Sequence, residues 1–337
     1  MRWLLMLLSF GCGSSARTDF DSLLRAQGFS GAALVARNGT VIHQAAMGFA
    51  NSETGASNTI ATRFRIGSNT KQFTAMAVLL LQEDGKLRIS DSVCVYVPEC
   101  PAAWLPVTLE TLLLHSSGIP DYSNFDNFPA LIGIKTTTIE LVMRFKAAPL
   151  EFVPGSRWKY SNSGYVLLGY LIERASGQAY GDFMHDRIFA PLGMTDTSIE
   201  GPGVATGYLR PGYQPVHLEM SEFGAAGALY STVTDLLRWD QALLAGTIAS
   251  KASRDLMLTP HISCPAGGCA LASDEGYGFG WFIADPGGQH YIYHWGRIDG
   301  YTSSNGFYPA RGLAVIVLGN LETVDVFGLS SQLGNSN

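Results

Sequence analysis

The stretch FRIGSNTKQF, residues 64–73, puts Lys71 three places after Ser68. It reads as the end of a strand, a glycine turn and the start of a helix, so the two side chains share one helical face and the ammonium can reach the hydroxyl. Ser68 falls at the helix's first turn, where free N–H groups and the helix dipole favour developing negative charge. A serine alcohol is a poor nucleophile without a neighbouring base, and a lysine held close can lower the pKa of an adjacent base or act as one itself. The chemistry on offer is covalent catalysis through serine. By itself a Ser-x-x-Lys match more often marks an N-cap serine and a surface lysine. Here the continuation TAMAVLLLQEDG is apolar on nearly every side until Gln82, with Gly85 as a stop. Such a helix is buried, and an unpaired lysine in a core is costly, so Lys71 needs a partner or a task.

Two further stretches set polar groups beside apolar elements. GSRWKYSNSGYVLLGYLIERASGQ holds Tyr160-Ser161-Asn162 in a polar loop just ahead of an apolar helix, and YHWGRIDGY holds His294-Trp295-Gly296 at the end of a late strand. The elements that must gather these groups begin with a short helix over residues 19–27. GAALVAR and VIHQAAMGFA follow as two strands joined at Asn38-Gly39, a hairpin signal that also accounts for the sequon Asn38-Gly39-Thr40. From Leu87 to about Glu222 the text is helical and loop-rich, with a helix from about Leu109 to His115, another after the Thr137-x-x-Glu140 capping box, and a third over Gly164 to Ala175. From Ser231 a helix through Leu244 leads to four strands, YGFGWFI, HYIYHW, TSSNGFY and GLAVIVLG, the last two flanking the turn Pro309-Ala310-Arg311-Gly312. The expected fold class is α/β (α+β), with an antiparallel sheet built from both chain ends, flanked by helices, and an inserted, mostly helical lobe. Residues 17–337 read as one domain, the sheet lobe about 17–86 and 223–337 and the helical lobe about 87–222. The active site is expected at their seam.

With 337 residues, 47% hydrophobic and 15% charged, the chain can bury a full core and reads as soluble and folded. A formal charge of −6 without a Lys/Arg cluster argues against nucleic acid as a partner. The N-terminus MRWLLMLLSFGCGSSAR has one early Arg, an apolar run from Trp3 to Phe10 and small residues Ser14 and Ala16, which reads as a signal peptide over residues 1–16. Lipid attachment at Cys12 is the alternative, which Ser9 and Phe10 fit poorly. That run is too short to span a bilayer, and no other stretch reaches ~20 apolar residues. A secreted or periplasmic destination follows. It agrees with Cys94-x5-Cys100 and Cys264-x4-Cys269, each in a loop-like stretch and read as a local disulfide rather than as zinc ligands. No cofactor or metal is expected: the histidines form no ligand pattern, and His290-x3-His294 would put two rings on one strand face without a third ligand.

Together with Ser68-x-x-Lys71, the Tyr160-Ser161-Asn162 and His294-Trp295-Gly296 stretches have the order and spacing of the three motifs of the penicillin-recognising serine hydrolases. The chain resembles the class C β-lactamase and D-alanyl-D-alanine carboxypeptidase family, which also holds esterases and D-aminopeptidases. The resemblance runs from about Phe29 to Leu321 and includes GKLRISDSV, LLLHSSGIPDY, FAPLGMTDT, GALYSTVTDLLRW and YGFGWF. It implies Ser68 as the acyl-accepting nucleophile, Lys71 holding charge beside it, and Tyr160 as a phenolate or phenol relaying the proton between Ser68 and the leaving group. A cation close to a phenol stabilises its ionised form, which would bring Tyr160 down toward the working range. The resemblance also implies His294 in the catalytic set and Asn162 on the substrate's amide. It places an oxyanion hole at the N–H groups of Ser68 and Arg297, with Gly296 leaving room for substrate along the strand. Tyr122, in the loop after the SSG phrase, is a candidate cleft residue.

The third motif of that family commonly reads Lys-Thr-Gly or His-Thr-Gly, and here Trp295 stands at the threonine position. The hydroxyl that would help bind a substrate carboxylate is absent. Arg297 is the remaining candidate anchor, set against a reading in which only its backbone N–H matters. The resulting expectation is an exported serine hydrolase forming a Ser68 acyl-enzyme with a small-molecule or peptide substrate, whether D-amino-acid peptide, β-lactam or ester. A D-Ala-D-Ala carboxypeptidase-like activity stands first, with carboxylesterase or class C-type β-lactamase as alternatives. From another class comes a non-catalytic protein that binds β-lactams or cell-wall peptides. Oligomeric state is left open. His115 reads as a helix C-terminal residue satisfying carbonyls and Asp299 as shaping the turn before Gly300. The terminal GLSSQLGNSN is shorter than the family's usual closing helix, a pattern compatible with truncation.

Overall fold

The computed structural model of the chain describes residues 20–215, 217–265 and 275–336. The expected leader, residues 1–16, and Cys269 of the second cysteine pair lie outside the described residues.

Small and branched apolar residues make strand β1 (Gly31–Arg37), buried from Gly31 to Ala36. Its alternate side chains enter two different cores, Ala32, Leu34 and Ala36 one and Ala33 and Val35 the other. A strand buried on both faces needs a layer on each side. Asn38 and Gly39, at φ 49° and 80°, turn the chain into β2 (Thr40–Met47) as the Asn-Gly signal requires. The late strands are β3 (Ile262–Ser263), β4 (Gly276–Tyr277), β5 (Phe282–Ala284), β6 (Tyr291–Ile298), β7 (Tyr301–Tyr308) and β8 (Leu313–Gly319). They form one eight-stranded antiparallel sheet in the order β2-β1-β8-β7-β6-β5-β4-β3. Val35 opposite Val315 is where the two chain ends meet.

The helices that cover the sheet or carry the site are α1 (Phe20–Ala26), α2 (Thr70–Glu83), α3 (Leu109–Leu113), α4 (Thr138–Lys146), α5 (Asn162–Ser176), α6 (Val233–Ala245) and α7 (Val326–Ser336). Phe20 and Leu24 of α1 and Leu329 and Leu333 of α7 cover one face, against Val35, Val315 and Val317. The opposite face, with Leu34, Ile316 and Leu318, shares its core with α2 and α6. Each fully buried Leu, Val or Phe contributes roughly 1.5–3 kcal/mol, so the two cores hold the sheet as a fixed platform. The capping box of Thr137 and Glu140 starts α4 as expected, and α5 packs against α2, α3 and α4. Cys94 and Cys100 are disulfide-bonded.

YGFGWFI, expected as one strand, is split between β4 and β5 by a tight turn in which the Gly278 N–H donates to the Trp281 carbonyl at 2.9 Å. Gly280, at φ 80°, lies so close to α2 that a Cβ would stand 2.8 Å from the Lys71 carbonyl oxygen. Contact with the helix that carries Lys71 bends the run, and the sequence alone does not record it. Among the described residues no helix is long and apolar enough to cross a membrane.

Candidate active site

Ser68 sits on a single 3-10 turn, Gly67–Asn69, ahead of α2 rather than in the first turn of an α-helix. Tertiary bonds fix this geometry: the Asn69 amide donates to Ser303 Oγ at 2.7 Å, and that hydroxyl donates to the Ile66 carbonyl at 2.7 Å. β5 pairs with β6 only over Tyr291–Tyr293, so beyond it the backbone of β6 can lie against the Ser68 turn. Two glycines permit that approach. A Cβ on Gly67, whose φ is 50°, would stand 2.9 Å from the Arg297 nitrogen. On Gly296 a Cβ would stand 2.0 Å from the Ile66 carbonyl oxygen and 2.9 Å from the Ser68 nitrogen. The space left by the missing side chain of Gly296 is thus taken by the Ser68 turn itself, where sequence reasoning had reserved it for substrate.

Lys71 and Tyr160 converge on the serine. Lys71 Nζ donates to Ser68 Oγ at 3.0 Å, to Asn162 Oδ1 at 2.8 Å and to the Ala226 carbonyl at 2.8 Å. The Tyr160 hydroxyl donates to Ser68 Oγ at 2.8 Å. Asn162, the first residue of α5, is held in turn by donating to Asp121 Oδ2 at 3.0 Å and Ser123 Oγ at 3.3 Å. Its amide therefore serves the lysine in this structure, while its side chain also borders the cleft. Lys71 is fully buried, and burial lowers its pKa to about 7 against the opposing pull of Asp121. Burial likewise pushes Tyr160 well above its ordinary value, outweighing the bond to Ser68 that would lower it. The expectation that the lysine would bring the free phenol toward its working range is thus reversed: loss of solvation governs both groups and favours both neutral forms.

Under Tyr160 lies a neutral polar chain. His115 closes α3 as expected, at φ 53° with its N–H donating to the Leu112 carbonyl at 3.2 Å, while its ring stacks on Tyr160 with centroids 4.2 Å apart. The Ser161 N–H donates to His115 Nδ1 at 3.1 Å, which puts the His115 proton on Nε2, 3.2 Å from the Tyr277 hydroxyl. Tyr277 can then donate to His294 Nε2 at 3.2 Å, while His294 Nδ1–H donates to the Trp295 carbonyl at 2.7 Å. Burial first, and Lys71 second, hold both imidazoles neutral, His115 well below its usual range and His294 down to about 3. His290 lies outside this group, ahead of β6, exposed and bonded to Asp285. Among the described residues no three His, Cys, Asp or Glu side chains gather in a metal-binding arrangement.

These groups open into a cleft of about 680 Å³ lined by Ser68, Tyr122, Tyr160, Asn162, His294 and Trp295, among others. Tyr122 is buried, and its hydroxyl donates to the Glu222 carbonyl; the Glu222 carboxylate pairs with Arg144. Arg297 borders the cleft but directs its guanidinium to Glu322, with Nε 2.8 Å from the carboxylate. Asp299 occupies the link to Gly300 as expected and lines the cleft as well. The supporting residues that sequence reasoning missed are Asp121, Ser123, Tyr277 and the Ala226 carbonyl. Asp121 and His115, whose ring contacts were not foreseen, both sit in the phrase LLLHSSGIPDY, the one signal that pointed to them.

Comparison with known proteins identifies the family and the fold. A family model described as Beta-lactamase matches residues 16–329. The putative penicillin-binding protein PbpX of Bacillus subtilis (strain 168) is 31% identical over 310 residues, covering 90% of this chain and 73% of the relative. A crystal structure of a penicillin binding protein from Bacillus halodurans superposes with a TM-score of 0.84 at 26% identity, covering 94% of this chain and 99% of that one. The crystal structure of D-amino acid amidase from Ochrobactrum anthropi SV3 gives a TM-score of 0.79 at 26% identity, covering 94% of this chain and 100% of that one. The chain belongs to the beta-lactamase family of serine hydrolases, together with penicillin-binding-protein homologues.

Proposed function

We infer that the protein hydrolyses an amide or ester through an acyl-enzyme on Ser68, and that its substrates are small amides or esters without a free carboxylate next to the scissile bond. The observation that carries the acyl-enzyme is the convergence of Lys71 Nζ, at 3.0 Å, and the Tyr160 hydroxyl, at 2.8 Å, on Ser68 Oγ. As a neutral amine, Lys71 keeps its bonds to Asn162 and Ala226 and turns its lone pair to the serine hydroxyl. Ser68 Oγ attacks the carbonyl carbon as its proton passes to Lys71, and the oxyanion is held by the N–H groups of Ser68 and Arg297. Tyr160 gives its proton to the leaving nitrogen or oxygen as the scissile bond breaks. The acyl-enzyme then pairs a Lys71 ammonium with a Tyr160 phenolate, each stabilising the other. In deacylation the phenolate takes a proton from water, the hydroxide attacks the ester, and Ser68 Oγ leaves with the proton from Lys71. His294, with His115 and Tyr277, holds the floor of the site.

Substrate choice rests on the charges of the cleft. A carboxypeptidase or β-lactamase reading needs a cation for the substrate carboxylate. Lys71 is committed to Ser68, Arg297 to Glu322, and Trp295 offers no hydroxyl. The likeness to D-amino acid amidase supports amides of D-amino acids as first candidates. The Cys94–Cys100 disulfide supports action after export, in an oxidising compartment. The test is turnover of D-phenylalanine amide, a p-nitrophenyl ester and a chromogenic cephalosporin by wild type and Ser68→Ala. The amide and ester should be hydrolysed faster than the cephalosporin, with all turnover lost in the variant. A cephalosporin preferred over both would overturn the substrate assignment, and binding without turnover would revive the non-catalytic reading.

A further inference from the structure

We propose that Asp299 anchors an ammonium group on the acyl part of the substrate, so that amino-acid amides or esters with a free amine are preferred over their deaminated analogues. The inference rests on the acyl-enzyme reading of Ser68 and adds to it the charge of the substrate.

Asp299 borders the same cleft as Ser68 and Tyr160 and is half-buried. The other carboxylates around this region are engaged. Asp121 accepts from Ser123 and Asn162, Glu222 pairs with Arg144, and Glu322 takes both Arg297 and the Gly300 N–H, the latter at 2.9 Å. Asp299 has no hydrogen-bonding partner among the described residues; Arg297, its nearest guanidinium in sequence, bonds Glu322 instead and acts on Asp299 only through its charge, which draws the carboxyl down. Burial and the charge of Glu322 hold its carboxyl above the ordinary range. A cation arriving in the cleft would relieve both effects, and a substrate carboxylate would aggravate them.

Its support is rigid. Asp299 lies on the two-residue link between Ile298 and Tyr301, where Gly300, at φ 86°, packs so tightly that a Cβ would stand 2.8 Å from the backbone of Gly207. The lining of the same cleft also includes the apolar side chains of Phe128, Ile132 and Phe223, which suit an aromatic or branched side chain. The cleft therefore matches an apolar amino acid that acylates Ser68 through its carbonyl, releasing its amide or ester leaving group, and is held by its amine.

The experiment compares kcat/KM for phenylalanine amide, in both enantiomers, with 3-phenylpropanamide, which lacks only the amine, in wild type and Asp299→Asn. The better amine-bearing enantiomer should exceed the deaminated amide by roughly 10- to 100-fold in wild type, the size of one charge-assisted hydrogen bond, and the ratio should fall toward one in the variant. Asn-Gly keeps the turn chemistry, and a thermal melt checks folding. Equal rates on the two amides in wild type overturn the inference whatever the variant does, as does a preference that survives Asp299→Asn. Cleavage of a p-nitrophenyl ester by wild type and its loss in Ser68→Ala would leave the acyl-enzyme reading standing in either case. Ester hydrolysis that persists in Ser68→Ala overturns that reading and this inference with it.

Discussion

Acylation should switch on as pH rises through neutrality. Burial lowers Lys71 from 10.5 to about 7. At pH 7 about half the molecules then carry the neutral amine that can accept the Ser68 proton, against about 0.03% for a lysine at its ordinary value. The assay is kcat/KM for p-nitrophenyl butyrate between pH 5 and 9, a substrate that does not titrate. The rate should climb about tenfold per pH unit below the midpoint and level off above it, because Tyr160, held well above its usual range, stays a phenol throughout. Asp121→Asn sharpens the test. The Asp121 charge raises Lys71, so removing it should move the midpoint to lower pH, while the new amide can still accept from Asn162. The same shift makes stability rise with pH between about 7 and 10.5, since the unfolded lysine holds a proton there that the folded one has released. A rate that is flat or falls between pH 6 and 8 would refute Lys71 as the base.

Three substitutions probe the remaining parts. Tyr160→Phe keeps the stack on His115 and removes the hydroxyl 2.8 Å from Ser68, so kcat/KM should fall about 10²- to 10⁴-fold with little change in Tm; near-normal turnover would leave Lys71 as sole proton carrier. Gly296→Ala drives a Cβ to 2.0 Å from the Ile66 carbonyl, which should cost about 1–3 kcal/mol in denaturant melts and displace the Ser68 turn; full activity would show that the strand yields freely. Arg144→Met leaves the fully buried Glu222 unpaired, for an expected loss of about 3–5 kcal/mol, and a loss under about 1 kcal/mol would contradict the structural role of that pair.

What the sequence made legible was local or carried by motif spacing. Asn38-Gly39 announced the β1–β2 hairpin, Thr137 and Glu140 announced α4, and strand-like runs near both chain ends, GAALVAR and GLAVIVLG among them, announced a sheet shared by the two ends. The three motifs brought Ser68, Lys71 and Tyr160 together on paper, and the structure puts them within hydrogen-bonding distance. The misreadings share a cause. Ser68 is on a 3-10 turn because Asn69 bonds Ser303, 234 residues away in sequence, and the ring of His115, beyond its correctly read place at a helix end, is set by Ser161 and Tyr277, 46 and 162 residues away. Gly296 looked like room for substrate because the Ser68 turn that fills that room comes from another part of the chain. The protonation states of Lys71 and Tyr160 followed burial, which no pair of neighbours in sequence discloses.

The acyl-enzyme itself can be tested by covalent labelling. A fluorophosphonate phosphonylates an activated serine irreversibly, and intact mass with peptide mapping should find one equivalent, on Ser68, formed faster as pH rises through about 7 in step with Lys71. Ser68→Ala should take no label while keeping its fold. Label that persists in this variant, or that maps to another residue in the wild type, would contradict Ser68 as the nucleophile.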